Sequence, residues 1–231
     1  AATGYQKTWH NGAADRDLLV GRMRWLPHPD ESAWDFLGTA WVDFYTDGDA
    51  AKDSAVELTQ AQLSTSRRWD DGDSVTVSYT HLAFPQIDRH EFLPVTLASL
   101  ADDRLDRLAV NGWKGLSEDR RLHAGLGGWV DEDETGGDVE LGLEIDDLLA
   151  EDSRSDGTLF VTLGEFSSLY GARVSHGRRV GSGRWDALYE VGLHDIDGFD
   201  DDNDGLLQQR LRASREFRTR SGWNVAGYAA T

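Results

Sequence analysis

The chain has 231 residues, enough for one large β domain or two small ones, and no cysteine, which excludes a disulfide framework or a thiolate metal site. A formal charge of −19 argues against a nucleic-acid partner, because a surface that grips phosphates is basic. No run of 18 apolar residues occurs, so no helical membrane span is expected, although alternating strands cross a bilayer without one.

From Asp17 to Leu26 the chain alternates: Leu19, Gly21, Met23 and Trp25 share one face of a strand, and Val20, Arg22 and Arg24 the other. Pro27 and Pro29 then turn the chain, since proline cannot donate to a ladder. Trp34, Phe36, Gly38, Ala40, Val42 and Phe44 form an apolar row opposite Asp35, Thr39, Trp41, Asp43 and Tyr45. Ala55 to Trp69 reads as a weaker strand whose register changes near Thr59, as a β-bulge would impose. Asp70 to Asp73 is a hairpin connection, and Val75, Val77 and Tyr79 line the next strand. Residues 85–103 break the pattern: Pro85 and Pro94 interrupt them, so they read as the longest loop, with Val95 to Ala101 as a short helical turn.

Alternation resumes over Leu105 to Trp113 and Leu122 to Asp131, where Leu122, Ala124, Leu126, Gly128 and Val130 oppose His123, Gly125, Gly127, Trp129 and Asp131. Val139, Leu141, Leu143 and Ile145 then oppose Glu140, Gly142, Glu144 and Asp146. A turn is expected at Ser153 to Gly157 and another near Glu165 to Ser168; between and after them Leu159, Val161 and Leu163, then Tyr170, Ala172 and Val174, with Arg173 opposite, mark two strands. The clearest hairpin spans Arg184 to Arg218. Its first arm sets Trp185, Ala187, Tyr189, Val191 and Leu193 against Asp186, Glu190 and His194; its second sets Leu207, Leu211, Ala213 and Phe217 against Gln208, Arg210, Arg212, Ser214, Glu216 and Arg218. A final strand begins at Trp223. About thirteen strands joined as hairpins result, with no helix long enough for a parallel crossover.

Each strand therefore has one apolar and one ionic face, and two architectures accommodate that. In a soluble sandwich the apolar rows point inward; in a membrane barrel they face lipid and the ionic rows line a polar interior. Both arms of the Arg184–Arg218 hairpin reach the roughly 9–11 residues a tilted strand needs to cross a bilayer. Trp25, Trp34, Phe44, Trp69, Phe84, Trp113, Trp129, Trp185, Phe217 and Trp223 fall toward strand ends, where an interfacial girdle belongs. Gly38, Ala40, Ala124, Gly128, Ala187 and Ala213 would underfill a packed core but suit a lipid-facing surface. Short and longer connections tend to alternate.

In this pattern the chain resembles bacterial outer-membrane β-barrels of the porin type. The resemblance is architectural and covers nearly the whole chain, residues 1–231, as a single domain. It implies an all-β, up-and-down antiparallel transmembrane barrel in the outer membrane of a Gram-negative-type bacterium. Such barrels end in a strand with a terminal aromatic and have even strand numbers, whereas this chain ends in Thr231; both departures suit a segment of a longer protein.

The barrel orientation makes Arg22, Arg24, Asp43, Arg107, Glu140, Glu144, Arg173, Asp186, Glu190, Arg210, Arg212 and Arg218 candidate pore-lining residues, since pore charge sets ion preference. Asp200, Asp202 and Asp204 match the first half of a D-x-D-x-D-G calcium loop, but Leu211 stands where the bidentate Glu belongs; a weak calcium site competes there with a solvated acidic turn. The histidines lack zinc-site spacing and no nucleophile elbow occurs, so no enzyme is expected. The expected activity is passive diffusion or export of small polar or charged solutes. Expected partners are outer-membrane lipid, the solutes, and a second copy or a larger envelope assembly. The alternatives are a soluble secreted β-sandwich or jelly roll that binds carbohydrate, and a non-conducting structural barrel.

Overall fold

The computed structural model describes residues 1–10, 13–27, 34–44, 56–69, 71–83, 104–132, 134–165, 167–181, 183–196, 205–218 and 224–230. Thirteen strands follow in order: β1 (Ala2–His10), β2 (Ala13–Trp25), β3 (Trp34–Phe44), β4 (Val56–Arg68), β5 (Ser74–Ala83), β6 (Arg104–Ser117), β7 (Arg120–Asp131), β8 (Thr135–Asp146), β9 (Ser153–Gly164), β10 (Ser167–Val180), β11 (Gly183–Ile196), β12 (Leu206–Arg218) and β13 (Asn224–Ala230). The fold is all-β and up-and-down: each strand bonds its sequence neighbours, in the order β1 to β13. The long loop expected at 85–103 lies outside the described residues.

The chain packs as two compact units, one of residues 1–69, 75–110 and 127–135, the other of residues 70–74, 111–126 and 136–231. Within the second, the antiparallel ladders β8–β9–β10–β11–β12 fix which side chains share a rung. On one face the rungs read Val139–Val161–Tyr170–Leu193–Leu207 and Leu141–Leu159–Ala172–Val191–Gln209. On the other they read Gly142–Thr158–Arg173–Glu190–Arg210 and Glu144–Asp156–Ser175–Leu188–Arg212. A side-chain period of two keeps the two sets apart along every strand.

Burial is inverted relative to a water-soluble domain. Leu141 is 51% exposed and Leu159 66%, while Glu144 is 9% and His123 8% exposed. In the first unit Met23, Trp25 and Leu63 are exposed while Asp43 is wholly buried. Among the described residues only Leu18 and Ala61 are buried apolar side chains. A sandwich would place its large aliphatics in a dry centre, and this structure places carboxylates, hydroxyls and imidazole in the protected positions instead.

Two local features shape the strands. At the β3–β4 ladder Trp41 pairs with Gln60 and Val42 with Leu58, so Thr59 is the extra residue of a bulge, where the sequence indicated a register change. The connection between β8 and β9 is residues 147–152, not Ser153–Gly157, which belong to β9. Asp147 and Asp152 take positive φ values of 58° and 57°, a left-handed conformation that Asp tolerates. Asp147 N–H donates to Ser153 O at 2.8 Å, and the Ser153 hydroxyl donates to Ala150 O at 2.6 Å, closing the turn.

Aromatics gather at one end of β2, β3 and β4. Trp25 lies 5.0 Å and Trp34 6.0 Å from Phe36, centroid to centroid, and the Arg67 guanidinium covers Trp34 at 5.4 Å and Trp69 at 4.8 Å. Trp113 departs from the end-of-strand expectation: it lies within β6, its ring 4.6 Å from that of His123. Phe84 and Trp223 lie outside the described residues.

Candidate functional site

The ionic face of β7–β12 is the site, and its residues arrive there by alternation opposite an apolar row. Glu144 is the centre of one cluster. It accepts from Arg121 of β7 and lies 3.6 Å from Arg154 Nε of β9. Arg154 Nε also donates to Asp146 Oδ1 at 2.8 Å, and Arg121 reaches Asp146 at 4.0 Å. Two guanidiniums thus share two carboxylates two residues apart on one strand. Such a network holds long side chains in place better than an isolated surface pair does.

Arg173 of β10 bridges the next rungs: its Nη2 lies 3.8 Å from Glu140 Oε2 and its Nη1 3.8 Å from Glu190 Oε2. The carboxylates flank it from β8 and β11, so this stretch of the face alternates in charge across strands. His123 Nε2 meets Asp156 Oδ2 at 2.8 Å, and Thr158 Oγ1 donates to Asp156 Oδ1 at 2.8 Å. Both carboxylate oxygens of Asp156 are therefore engaged. A cavity of about 680 Å³ opens onto this face, with Glu140, Glu144, Asp156, Arg173 and Arg212 in its lining. It presents both charge signs to whatever enters, so a polar solute would be oriented within it rather than merely attracted.

Of the other candidates, Asp186 pairs within its own strand with Arg184, at 2.7 Å to Nη2. Arg210 stands directly opposite Glu190, and Arg212 opposite Leu188. Both arginines are exposed. Arg218 is placed by its backbone opposite Asn224; its side chain lies outside the described residues. Asp200, Asp202 and Asp204 likewise lie outside the described residues.

In the first unit Arg24 and Asp35 form a two-point pair, at 2.7 Å and 3.1 Å, across β2 and β3. Asp43 accepts from the Thr59 hydroxyl, so the bulge delivers a donor to a buried carboxylate. Arg22 is exposed beside Thr39 and Gln62 in a second cavity of about 680 Å³. Arg107 is exposed and alternates with Leu108, placing it on the opposite face of β6 from that leucine.

Sequence reasoning missed Arg121, Arg154 and the His123–Asp156 contact. Arg121 was lost because Leu122 opened the readable alternation, one residue late. Arg154 and Asp156 were lost inside Ser153–Gly157, whose composition reads as a turn. Tyr79, His81 and Asp106 form a further cluster: Asp106 Oδ1 accepts from the Tyr79 hydroxyl at 2.6 Å and meets His81 Nδ1 at 2.8 Å. Near the two-residue connection before β7, the Ser117 hydroxyl holds the Asp119 carboxyl below its ordinary pKa.

No family model matches the sequence, and no curated protein matches it. Among solved structures, the chain is similar to one described as "Bacterial polysaccharide outer membrane secretin", with a TM-score of 0.57 and 10% identity over 99% of this chain and 75% of that one. At that identity the likeness is one of fold alone.

Proposed function

We propose that the chain is an outer-membrane β-barrel, whole or in part, whose apolar face meets lipid and whose ionic face lines a water-filled passage for polar or charged solutes. It is a conduit rather than a catalyst. The observation that carries this reading is the inverted burial: Leu141 and Leu159 are more than half exposed while Glu144 and His123 on the alternate positions are protected. The similar fold of a structure described as a polysaccharide outer-membrane secretin supports the setting and makes a polysaccharide chain a solute worth testing beside small ions.

Reconstitution of the full chain into planar bilayers tests the reading. Discrete conductance steps are expected. Folded protein in persistently silent bilayers would leave a non-conducting structural barrel, and a monodisperse protein in detergent-free buffer would leave the soluble sandwich.

A further inference from the structure

On the ionic face of β7–β11, Gly125, Gly142, Gly171 and Gly192 each lie under a side chain from an adjacent strand. A methyl group added at Gly142 would collide with the His123 ring and come within 2.8 Å of Thr158 Oγ1. One added at Gly171 would collide with the Phe160 ring, which comes from the residue directly across the β9–β10 ladder, and come within 2.8 Å of the Val191 carbonyl oxygen. At Gly125 it would meet Glu140 Cγ at 2.8 Å, and at Gly192 Leu169 Cδ1 at 2.9 Å. Gly157, on the apolar face, is the contrast: a methyl group there meets nothing within 4 Å. Neighbouring side chains on one face stand about 4.5–5.5 Å apart at their β-carbons, so a side chain can lie sideways only where its neighbour has none.

Resting on the channel reading above, we propose that these glycines are recesses. They hold His123 and Phe160 flat along the wall, and so set the free width of the passage and which solutes fit it. The His123 ring lies over Gly142, meets Asp156 at 2.8 Å, and has Trp113 4.6 Å away. Without the recess the imidazole must swing off the sheet into the space the solute uses, and it leaves Asp156 with one partner fewer. The recesses are thus width-determining without touching the solute themselves.

The test uses the full chain with Gly142→Ala, and Gly157→Ala as the control. Two readouts are taken: the rate of diethyl pyrocarbonate modification at His123, located by mass spectrometry in folded protein, and single-channel conductance. Gly142→Ala is expected to speed His123 modification severalfold and to lower conductance by roughly half, as a ring projecting into a narrow pore would. Gly157→Ala should do neither, and Gly142→Ala with His123→Ala should recover the conductance. If the Gly142 variant does not fold, Gly192→Ala against Gly192→Ala with Leu169→Ala provides the same comparison of conductance at a second recess, where the crowding atom is the flexible end of the Leu169 side chain. A conducting protein whose His123 reactivity and conductance are both indifferent to Gly142→Ala overturns the inference. A silent protein whose His123 nevertheless becomes reactive in Gly142→Ala upholds the recess and removes the channel reading instead.

Discussion

Glu190 and Arg210 stand directly opposite each other in the β11–β12 ladder, yet the Glu190 carboxylate lies 3.8 Å from Arg173 on its other side. Among the described residues Arg210 and Arg212 make no ion pair. Arg173 is committed between Glu140 and Glu190, whereas the pair on β12 is positive charge that could act on mobile ions in the proposed passage. Arg210→Glu combined with Arg212→Glu is expected to shift permeability severalfold toward cations, measured as the reversal potential in a salt gradient. An unchanged reversal potential would place β12 away from the conducting path.

Leu141 shares a rung with Leu159 and is 51% exposed. In lipid, Leu141→Arg should cost about 2–4 kcal/mol near the bilayer midplane. On a water-facing surface the same change would fall within about 0.5 kcal/mol. Denaturant unfolding from lipid vesicles distinguishes the two outcomes.

The β4–β5 connection is tied to β6 through Asp73, which accepts from the Lys114 ammonium and, at 2.8 Å, from Gly115 N–H. The Lys114 hydrogen bond, then that backbone N–H, hold the Asp73 carboxyl below its ordinary pKa of 3.8. A carboxyl lowered in the folded state binds fewer protons there than in the unfolded chain, so it stabilises above its ordinary pKa and that contribution disappears as pH falls through the lowered value. Asp73→Asn should therefore flatten the acid limb of the stability profile and leave its neutral-to-alkaline limb unchanged in shape. Unfolding midpoints taken across the acidic range provide the check.

Thr59 supplies a hydroxyl to Asp43, which is wholly buried. Removing that donor in Thr59→Val should destabilise by about 1–3 kcal/mol, the cost of leaving a buried acceptor short of a partner. Thr59→Ser keeps the hydroxyl and should recover most of the loss, as read by thermal or denaturant unfolding.

The legible parts of the fold were those where alternation ran without breakers. Val139 to Asp146 is such a stretch, and the faces it implies are the faces found, with Leu141 exposed and Glu144 protected. The bulge was legible because the apolar positions of β4 change parity at Thr59. The β8–β9 turn was hidden because Leu148, Leu149 and Ala150 look like strand residues, while the feature that makes the turn is the left-handed backbone at Asp147 and Asp152. Hiding that turn also hid Arg154 and Asp156. Partnerships such as His123 with Asp156 depend on register across an intervening strand, which no local pattern encodes.

The order of β1 to β13 in the sheet is their order along the chain, so among the described residues each strand bonds to those that immediately precede and follow it. The hairpin is therefore the natural unit of gain and loss in this architecture. Duplicating or excising two consecutive strands would change the number of strands while every remaining ladder kept a partner of the same direction and the same apolar side. Descendants of such a sheet can widen or narrow in steps of two without inventing a new core.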